Sequence, residues 1–340
     1  MSLQDPLILL VGMPRSGTTW IGKIFDSHPD TLYRHEPDSA EPIPELPVTP
    51  AVDDWQRYRQ SIRSFAGRLP DMRSTKVAGS LPVFAKSYLP PFFEYAQRAA
   101  IVSAKLVARA LGECGVPQVV RYEHVPQLRI VWKSIESSGR LGVLVRSMPT
   151  RSVLILRHPC GYVASVLRGE ARRKFADTAA SSEDYDILEM LMDTPPGRAC
   201  GVTMAALRAA DPVERLAWQW RLFNDKALAE IQGRKDVRVI RYEDLCAAPV
   251  EQAGNLFRFA GLSWIGQTER FLAASTSARR SGYYSVFKDP REAAWGWRRE
   301  LPQAMIDRIL GVTGAGTAGR MYGSDRSEWG PERAEAVRRE

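Results

Sequence analysis

The sequence has little cysteine and none of it is paired. Cys114, Cys160, Cys200 and Cys246 stand far apart, and no two form a C-x-x-C unit. That spacing argues against a zinc site and against a disulfide scaffold, and it fits a reducing compartment. Long apolar runs are also missing, so no stretch has the length of a membrane-spanning helix. The first apolar segment opens at Leu7, too near Met1 for a cleavable leader. The expectation is a cytoplasmic protein without stable membrane insertion. Lys and Arg number 47 against 39 Asp and Glu, giving a net charge of +8, but they are dispersed. No basic run of the kind that forms a nucleic-acid arm is present, so no nucleic-acid partner is expected. The surplus suits an anionic ligand; a merely basic surface would account for it equally well.

One missing lysine is more informative. Leu7 to Val11 is an unbroken apolar run, the mark of a short strand buried on both faces. Gly12-Met13-Pro14-Arg15 then turns, and Ser16-Gly17-Thr18-Thr19 leads into a helix. Strand, glycine-bearing turn and helix N-terminus make an anion cradle, because successive backbone N–H groups point outward and the helix dipole favours negative charge. The spacing Gly12-x-x-x-x-Gly17 is that of a P-loop, but Thr18 stands where a nucleotide-hydrolysing loop carries Lys. Arg15 supplies positive charge from within the loop. Phosphate binding is therefore expected without the usual ATP or GTP chemistry.

Further along, periodicity predicts strands at 31–34, 73–78, 128–131, 152–156 and 237–241, the last continued by Tyr242-Glu243-Asp244-Leu245. Helices are predicted over 20–26, 55–69, 91–111, 135–146, 160–167, 213–232, 250–260 and 302–310. Five prolines between Pro37 and Pro50 predict an irregular loop over the strand ends. Residues 279–297 read as a loop rich in charge and aromatics, and the chain beyond Gly311 as a Gly-rich, then charged tail. Strands alternating with helices give an α/β class: a three-layer P-loop-type fold with a central parallel sheet flanked by helices, plus helical and loop insertions. One domain is expected over 1–312, with 37–70 and 168–211 as substrate-side insertions and 313–340 as a C-terminal tail. Ligands of such sheets bind at the carboxyl ends of the strands, which gathers Arg15, Glu36, Lys133, Arg157 and Tyr242 on one rim.

Pro14-Arg15-Ser16-Gly17-Thr18-Thr19-Trp20 resembles the 5′-phosphosulfate loop of the sulfotransferases that use 3′-phosphoadenosine-5′-phosphosulfate, PAPS. Arg157-His158-Pro159 through Ser165 resembles that family's R-D-P-x-x-x-x-x-S segment, with His158 in place of the Asp. The resemblance implies that Arg157 and Ser165 hold the 3′-phosphate. An Arg fork at a strand end and a Ser about two helical turns further on can reach one anion if the helix lies alongside it. Arg241-Tyr242-Glu243-Asp244-Leu245 resembles the family's Y-E-D-L segment, implying that Tyr242 lies near the adenine. Tyr283 to Leu301 resembles its late cofactor loop without the R-K-G, so Lys288 and Arg291 stand as substitutes; a charged surface loop is the alternative. The implied donor site is thus Arg15, Ser16, Gly17, Thr18, Thr19, Trp20, Arg157, Ser165, Tyr242, Lys288 and Arg291, with PAPS as donor, PAP as product and no metal. Tyr33-Arg34-His35-Glu36-Pro37 and Val131-Trp132-Lys133-Ser134-Ile135 look most like the carbohydrate, or Golgi-type, branch. Without that branch's anchor and disulfides, a soluble bacterial relative is implied.

The resulting expectation is an O-sulfotransferase acting on a carbohydrate, glycolipid or small hydroxylated metabolite. Glu36 is the expected base, with His35 as first rival and His124 less well placed; the plain alternative pairs Glu36 with Arg34 or Arg15. Arg15 stabilises the leaving phosphate. Lys133 contacts the transferring sulfonate or, alternatively, caps the next helix. A P-loop kinase of small metabolites and a non-catalytic nucleotide-binding relative are the competing classes. The acceptor and the oligomeric state are not written in the sequence.

Overall fold

The computed structural model describes residues 7–112, 114–117, 125, 128–171, 181–277 and 289–323. Its strands are β1 (Leu7–Val11), β2 (Thr31–His35), β3 (Arg129–Ser134), β4 (Thr150–Leu156) and β5 (Val237–Arg241). Its α-helices begin with α1 (Thr18–Asp26), α2 (Pro37–Ala40), α3 (Trp55–Arg68), α4 (Thr75–Ala78), α5 (Phe93–Leu111) and α6 (Leu141–Ser147). Next come α7 (Pro159–Ala171), α8 (Tyr185–Met192), α9 (Pro195–Ala199), α10 (Met204–Ala209), α11 (Pro212–Ile231) and α12 (Tyr242–Ala247). The last are α13 (Pro249–Ala260), α14 (Gly266–Ser277), α15 (Pro290–Trp295), α16 (Trp297–Glu300), α17 (Gln303–Thr313) and α18 (Thr317–Arg320). Contacts group the chain into two compact units, Met1–Arg157 with Gly233–Trp295, and His158–Gln232 with Gly296–Glu340.

The first unit carries the sheet, in the order β2-β3-β1-β4-β5, and every neighbouring pair is parallel. Side chains alternate across a strand, so the register sorts them between two faces. Ile8, Leu10, Tyr33, Val131, Val153 and Ile155 share one face and form a core with Ile21, Ile24 and Phe25 of α1 and with Leu256 and Phe257 of α13. Each such side chain, fully buried, contributes about 1.5–3 kcal/mol. On the opposite face Trp132 packs against Phe65 of α3, ring centroids 5.2 Å apart. The expected central parallel sheet flanked by helices is present.

Several local expectations are corrected. The predicted strand at 73–78 is instead α4, which Ser74 caps by accepting a hydrogen bond from the Val77 N–H at 3.3 Å; a short polar side chain won over a weak β pattern. Tyr242 begins a helix rather than extending β5, because Glu243 and Asp244 fall in a first turn where negative charge is favoured. The helix predicted from 135 starts only at Leu141, after a 3₁₀ turn at Ser138–Arg140. Trp132, Lys133 and Ser134 belong to β3 itself. The proline-rich loop contains one helical turn, α2, with Pro37 at its start.

The second unit is helical. Asp211 caps α11 by accepting from the Val213 and Glu214 N–H groups at 2.8 and 3.0 Å. Leu188, Leu191 and Leu207 of the α8–α10 region pack with Trp218 and Leu222 of α11. The His158 ring stacks on Trp297 at 4.4 Å and meets the edge of Tyr322 at 5.2 Å. The position that carries Asp in the family pattern is therefore an aromatic packing site here. Among the described residues beyond Gly311, α17 runs to Thr313, and Asp225 Oδ1 accepts from the Ala318 N–H of α18 at 2.8 Å.

Candidate active site

The site is built at the carboxyl ends of β1, β2, β3 and β4 in the first unit. After β1, Arg15 adopts φ 72° and Gly17 φ 90°, both left-handed. For Gly17 a side chain is also excluded sterically, because a Cβ there would lie 2.2 Å from the Tyr242 ring. The loop closes on itself through Ser16, whose hydroxyl donates to the Met13 carbonyl at 2.7 Å. No side chain caps α1, so the amides of Thr18 and Thr19 stand at an open helix N-terminus beside half-exposed Arg15 and Gly17. Those features fit an anion. Trp20 faces inward: it is buried, donates from Nε1 to Ser275 Oγ at 3.1 Å, and meets Tyr242 edge-on at 6.2 Å.

β4 flanks the loop on one side. At its end Arg157 donates from Nη1 to the Arg15 carbonyl at 2.7 Å and from Nη2 to the Ala293 carbonyl at 2.6 Å. Its guanidinium lies over the Tyr242 ring, 5.2 Å from the centroid. Tyr242 thus supports both the loop glycine and the arginine, a role its motif alone did not reveal. Ser165 is buried in α7 of the second unit. Arg291 is exposed in the first turn of α15, whose start Asp289 caps through the Arg291 N–H at 2.8 Å. Lys288 and His124 lie outside the described residues.

β3 flanks the loop on the other side, with β2 beyond it. Register places Leu10, Lys133 and His35 side by side across the three strands. One residue past β2, Glu36 takes a left-handed φ of 50°, and its N–H donates to the Lys133 carbonyl at 2.8 Å. Its carboxylate Oε1 then accepts from the Lys133 ammonium. His35 Nε2 lies 3.5 Å from the same Oε1, while His35 Nδ1 is 2.8 Å from the Tyr33 hydroxyl. The alternation of β2 sends Arg34 to the other face, where it donates to the carbonyls of Leu69 and Pro70 at 2.7 and 2.5 Å. Glu36 therefore pairs with Lys133, and neither with Arg34 nor, by any described contact, with Arg15.

The electrostatics follow from burial. Lys133 is wholly buried; that desolvation lowers its pKa against the pull of Glu36. For Glu36, burial pushes upward, but the Lys133 charge and hydrogen bond hold the carboxyl below its usual value. His35 is pushed down to about 3, first by burial and then by the charge of Lys133. It is therefore neutral at pH 7. Lys76 of α4 also acts on this trio by its charge.

Four supporting residues, Asp38, Lys23, Asp26 and Lys86, belong to none of the sequence motifs. Asp38 is buried and accepts from Ser134 Oγ at 2.5 Å, Ser137 Oγ at 2.6 Å and Trp132 Nε1 at 3.2 Å. It fastens α2, and so Glu36, to the end of β3. Lys23 is fully buried; it donates to Asp26 Oδ2 at 2.7 Å and to the carbonyls of Ser80 and Pro82 at 2.8 Å each. Lys86 approaches the other oxygen of Asp26 at 3.0 Å. An i, i+3 pair on an apolar helix was the available hint of Lys23 and Asp26.

The family model described as "Sulfotransferase family" matches residues 6–266, most of the chain and all of the sheet. The chain belongs to the sulfotransferase family. This sulfotransferase is 29% identical over 347 residues to carbohydrate sulfotransferase 5 of Mus musculus, covering 94% of this chain and 82% of that protein. Carbohydrate sulfotransferase 3 of Homo sapiens is 31% identical over 97 residues, covering 28% of this chain but only 19% of that protein. Among solved structures, a sulfotransferase domain from the curacin biosynthetic pathway aligns at 15% identity and a TM-score of 0.44, covering 92% of this chain and 97% of that one. Among the described residues no helix is long and apolar enough to cross a membrane, and no group of three or more His, Cys, Asp or Glu is placed to hold a metal ion.

Proposed function

We propose that this sulfotransferase is a PAPS-dependent O-sulfotransferase acting on a hydroxyl of a carbohydrate or similarly hydroxylated acceptor. One observation supports the reading: the glycine-bearing loop after β1 stands between Arg157, just past β4, and the Glu36–Lys133 pair at the ends of β2 and β3. β3 stands between β1 and β2, so the loop and the carboxylate lie at the ends of strands two spacings, about 10 Å, apart. Bound PAPS supplies a sulfuryl group: the acceptor oxygen forms the new S–O bond as the bond to the 5′-phosphate breaks, and PAP leaves with the electron pair.

The chain's own residues do the rest. Arg15 and the N–H groups from Ser16 to Thr19 neutralise the 5′-phosphate as negative charge grows on it. Glu36, ionised at neutral pH, takes the proton of the acceptor hydroxyl. Lys133 gives charge to the sulfonate oxygens, and its partial transfer away from Glu36 would make the carboxylate more basic. Arg157 serves the 3′-phosphate, whose extra charge distinguishes the donor from ATP; Ser165, Tyr242, Lys288 and Arg291 stay in the reading on their motif positions. Acceptors of this kind and a cytoplasmic setting belong to the same proposal.

The test has two arms. Thermal shift should show stabilisation by 3′,5′-adenosine bisphosphate and little by ATP with magnesium; selective stabilisation by ATP–magnesium would sink the reading. A panel of hydroxylated acceptors with labelled PAPS should then give a sulfated product.

A further inference from the structure

Tyr33 and Gly22 belong to none of the sequence motifs for the donor, yet both bear on the base. Tyr33 lies on β2 two residues before His35, so alternation puts both side chains on the α1 face. The Tyr33 hydroxyl is 2.8 Å from His35 Nδ1, and His35 Nε2 is 3.5 Å from Glu36 Oε1. The imidazole thus bridges a phenol and a carboxylate. Its tautomer is fixed by which neighbour donates. A carboxylate only accepts, so the nitrogen facing Glu36 must carry the proton for an attractive contact. Nδ1 is then an acceptor, and the Tyr33 hydroxyl is its donor. Burial raises the Tyr33 phenol well above its usual range, which keeps that donor protonated.

The hydroxyl has its place because α1 leaves a gap there. A Cβ on Gly22 would lie 2.6 Å from the Tyr33 hydroxyl oxygen and 2.8 Å from its ring carbon Cε2. Lys23 on the next position lies over the same ring, 4.9 Å from its centroid. The helix that begins at the donor loop therefore sets the position of the phenol. That position sets the imidazole, and the imidazole with Lys133 brackets the carboxylate.

We propose that Tyr33 is a positioning residue for sulfuryl transfer: seated against Gly22, it holds His35 as the neutral Nε2–H tautomer, and that N–H orients the Glu36 carboxylate toward the acceptor. At 3.5 Å the His35 Nε2 makes a long polar contact to the base. The inference rests on the reading of Glu36 as base given above.

The experiment uses the full chain and two readouts. Nitrogen-15 NMR of the His side chains, with His35 assigned by loss of its signals in His35→Gln, should show one Nε2–H tautomer at pH 7. In Tyr33→Phe that signature should shift toward a tautomer mixture. With PAPS and an accepted hydroxyl, Tyr33→Phe should lower kcat about tenfold with the donor KM within about twofold, since misorienting a general base removes part of its hundredfold or greater effect. Gly22→Ala should move the same two readouts by displacing the hydroxyl. Bisphosphate binding and melting temperature report that Tyr33→Phe is folded. An Nδ1–H tautomer in the parent chain, or an unaltered kcat in Tyr33→Phe, would overturn the proposal while transfer by the parent chain kept the sulfotransferase reading intact. No transfer by the parent chain to any acceptor would fail that reading itself, and the proposal with it.

Discussion

The Glu36 carboxylate and the Lys133 ammonium meet at the ends of adjacent parallel strands, the lysine wholly buried and the glutamate one residue beyond its strand. The pair unites two residues that the motifs suggested separately. Replacing Glu36 by Gln keeps the shape and removes the base. The expected outcome is retained bisphosphate binding with turnover reduced at least about a hundredfold. Steady-state kinetics beside isothermal titration check it, and unchanged turnover would remove Glu36 from the mechanism.

Lys133→Met takes away the charge that holds Glu36 below its usual pKa. Burial is then opposed only by the charges of His35 and Lys76, and the Glu36 pKa should rise. Because the base works as carboxylate, activity falls as pH drops through that pKa. The acid limb of residual kcat/KM should therefore move to higher pH in the variant. A limb that stays in place would mean that another group titrates there.

Arg157 braces the loop by donating to the Arg15 carbonyl. Arg157→Ala should weaken 3′,5′-adenosine bisphosphate far more than adenosine 5′-monophosphate. Equal weakening of both would indicate that bracing is its whole contribution.

Asp38 gathers three buried donors. Asp38→Ala strands Ser134, Ser137 and Trp132 without their acceptor, and a loss of about 3 kcal/mol in unfolding free energy is expected. Urea denaturation reads it directly. Stability within about 0.5 kcal/mol of the parent would show that water replaces the carboxylate.

His35 also makes stability pH-dependent. Its folded pKa of about 3 lies below the usual value near 6.5 of an unfolded chain. Below about pH 6.5 the unfolded chain binds a proton that the folded chain refuses, so stability is full above that pH and falls as pH drops toward 3. Tyr33, Glu36, Lys133, Lys23 and Lys76 are the groups whose contacts or charges define this response. His28, whose pKa burial also lowers, adds a second slope. Between pH 6.5 and about 4.5, above most carboxylate titration, His35→Gln should flatten the denaturation midpoint by the equivalent of about 2 kcal/mol. An unchanged slope would show that His35 gains protons equally in both states.

The sheet was legible because buried parallel strands carry uninterrupted apolar runs, as Leu7–Val11 and Val153–Leu156 do. The rim was legible because a parallel sheet puts its loops at one end, whatever their order in the chain. What escaped was set by pairing across strands. Nothing in Lys133 names Glu36 as its partner until β3 lies beside β2 in register. Arg34 looked equally able to reach Glu36, and only the two-residue alternation of a strand turns it away. Gly22 and Tyr33 touch through packing of α1 on β2, which no local pattern encodes. Ser74 could have been read as a cap, but a single Ser before a four-residue helix is too common a signal to outweigh the β pattern.

The strand order has a consequence for how the molecule comes to exist. β1 and β2 are made early and are joined by a single helix, yet they are not neighbours; β3 must enter between them, and residues 36–128 are synthesised first. At about 5–20 residues per second that delay lasts roughly 5–20 seconds. Throughout it β1 and β2 each lack the strand that will separate them, and Glu36 lacks its lysine. The nascent chain must therefore avoid joining its first two strands to each other, and the acceptor side of the rim is assembled only when Lys133 arrives.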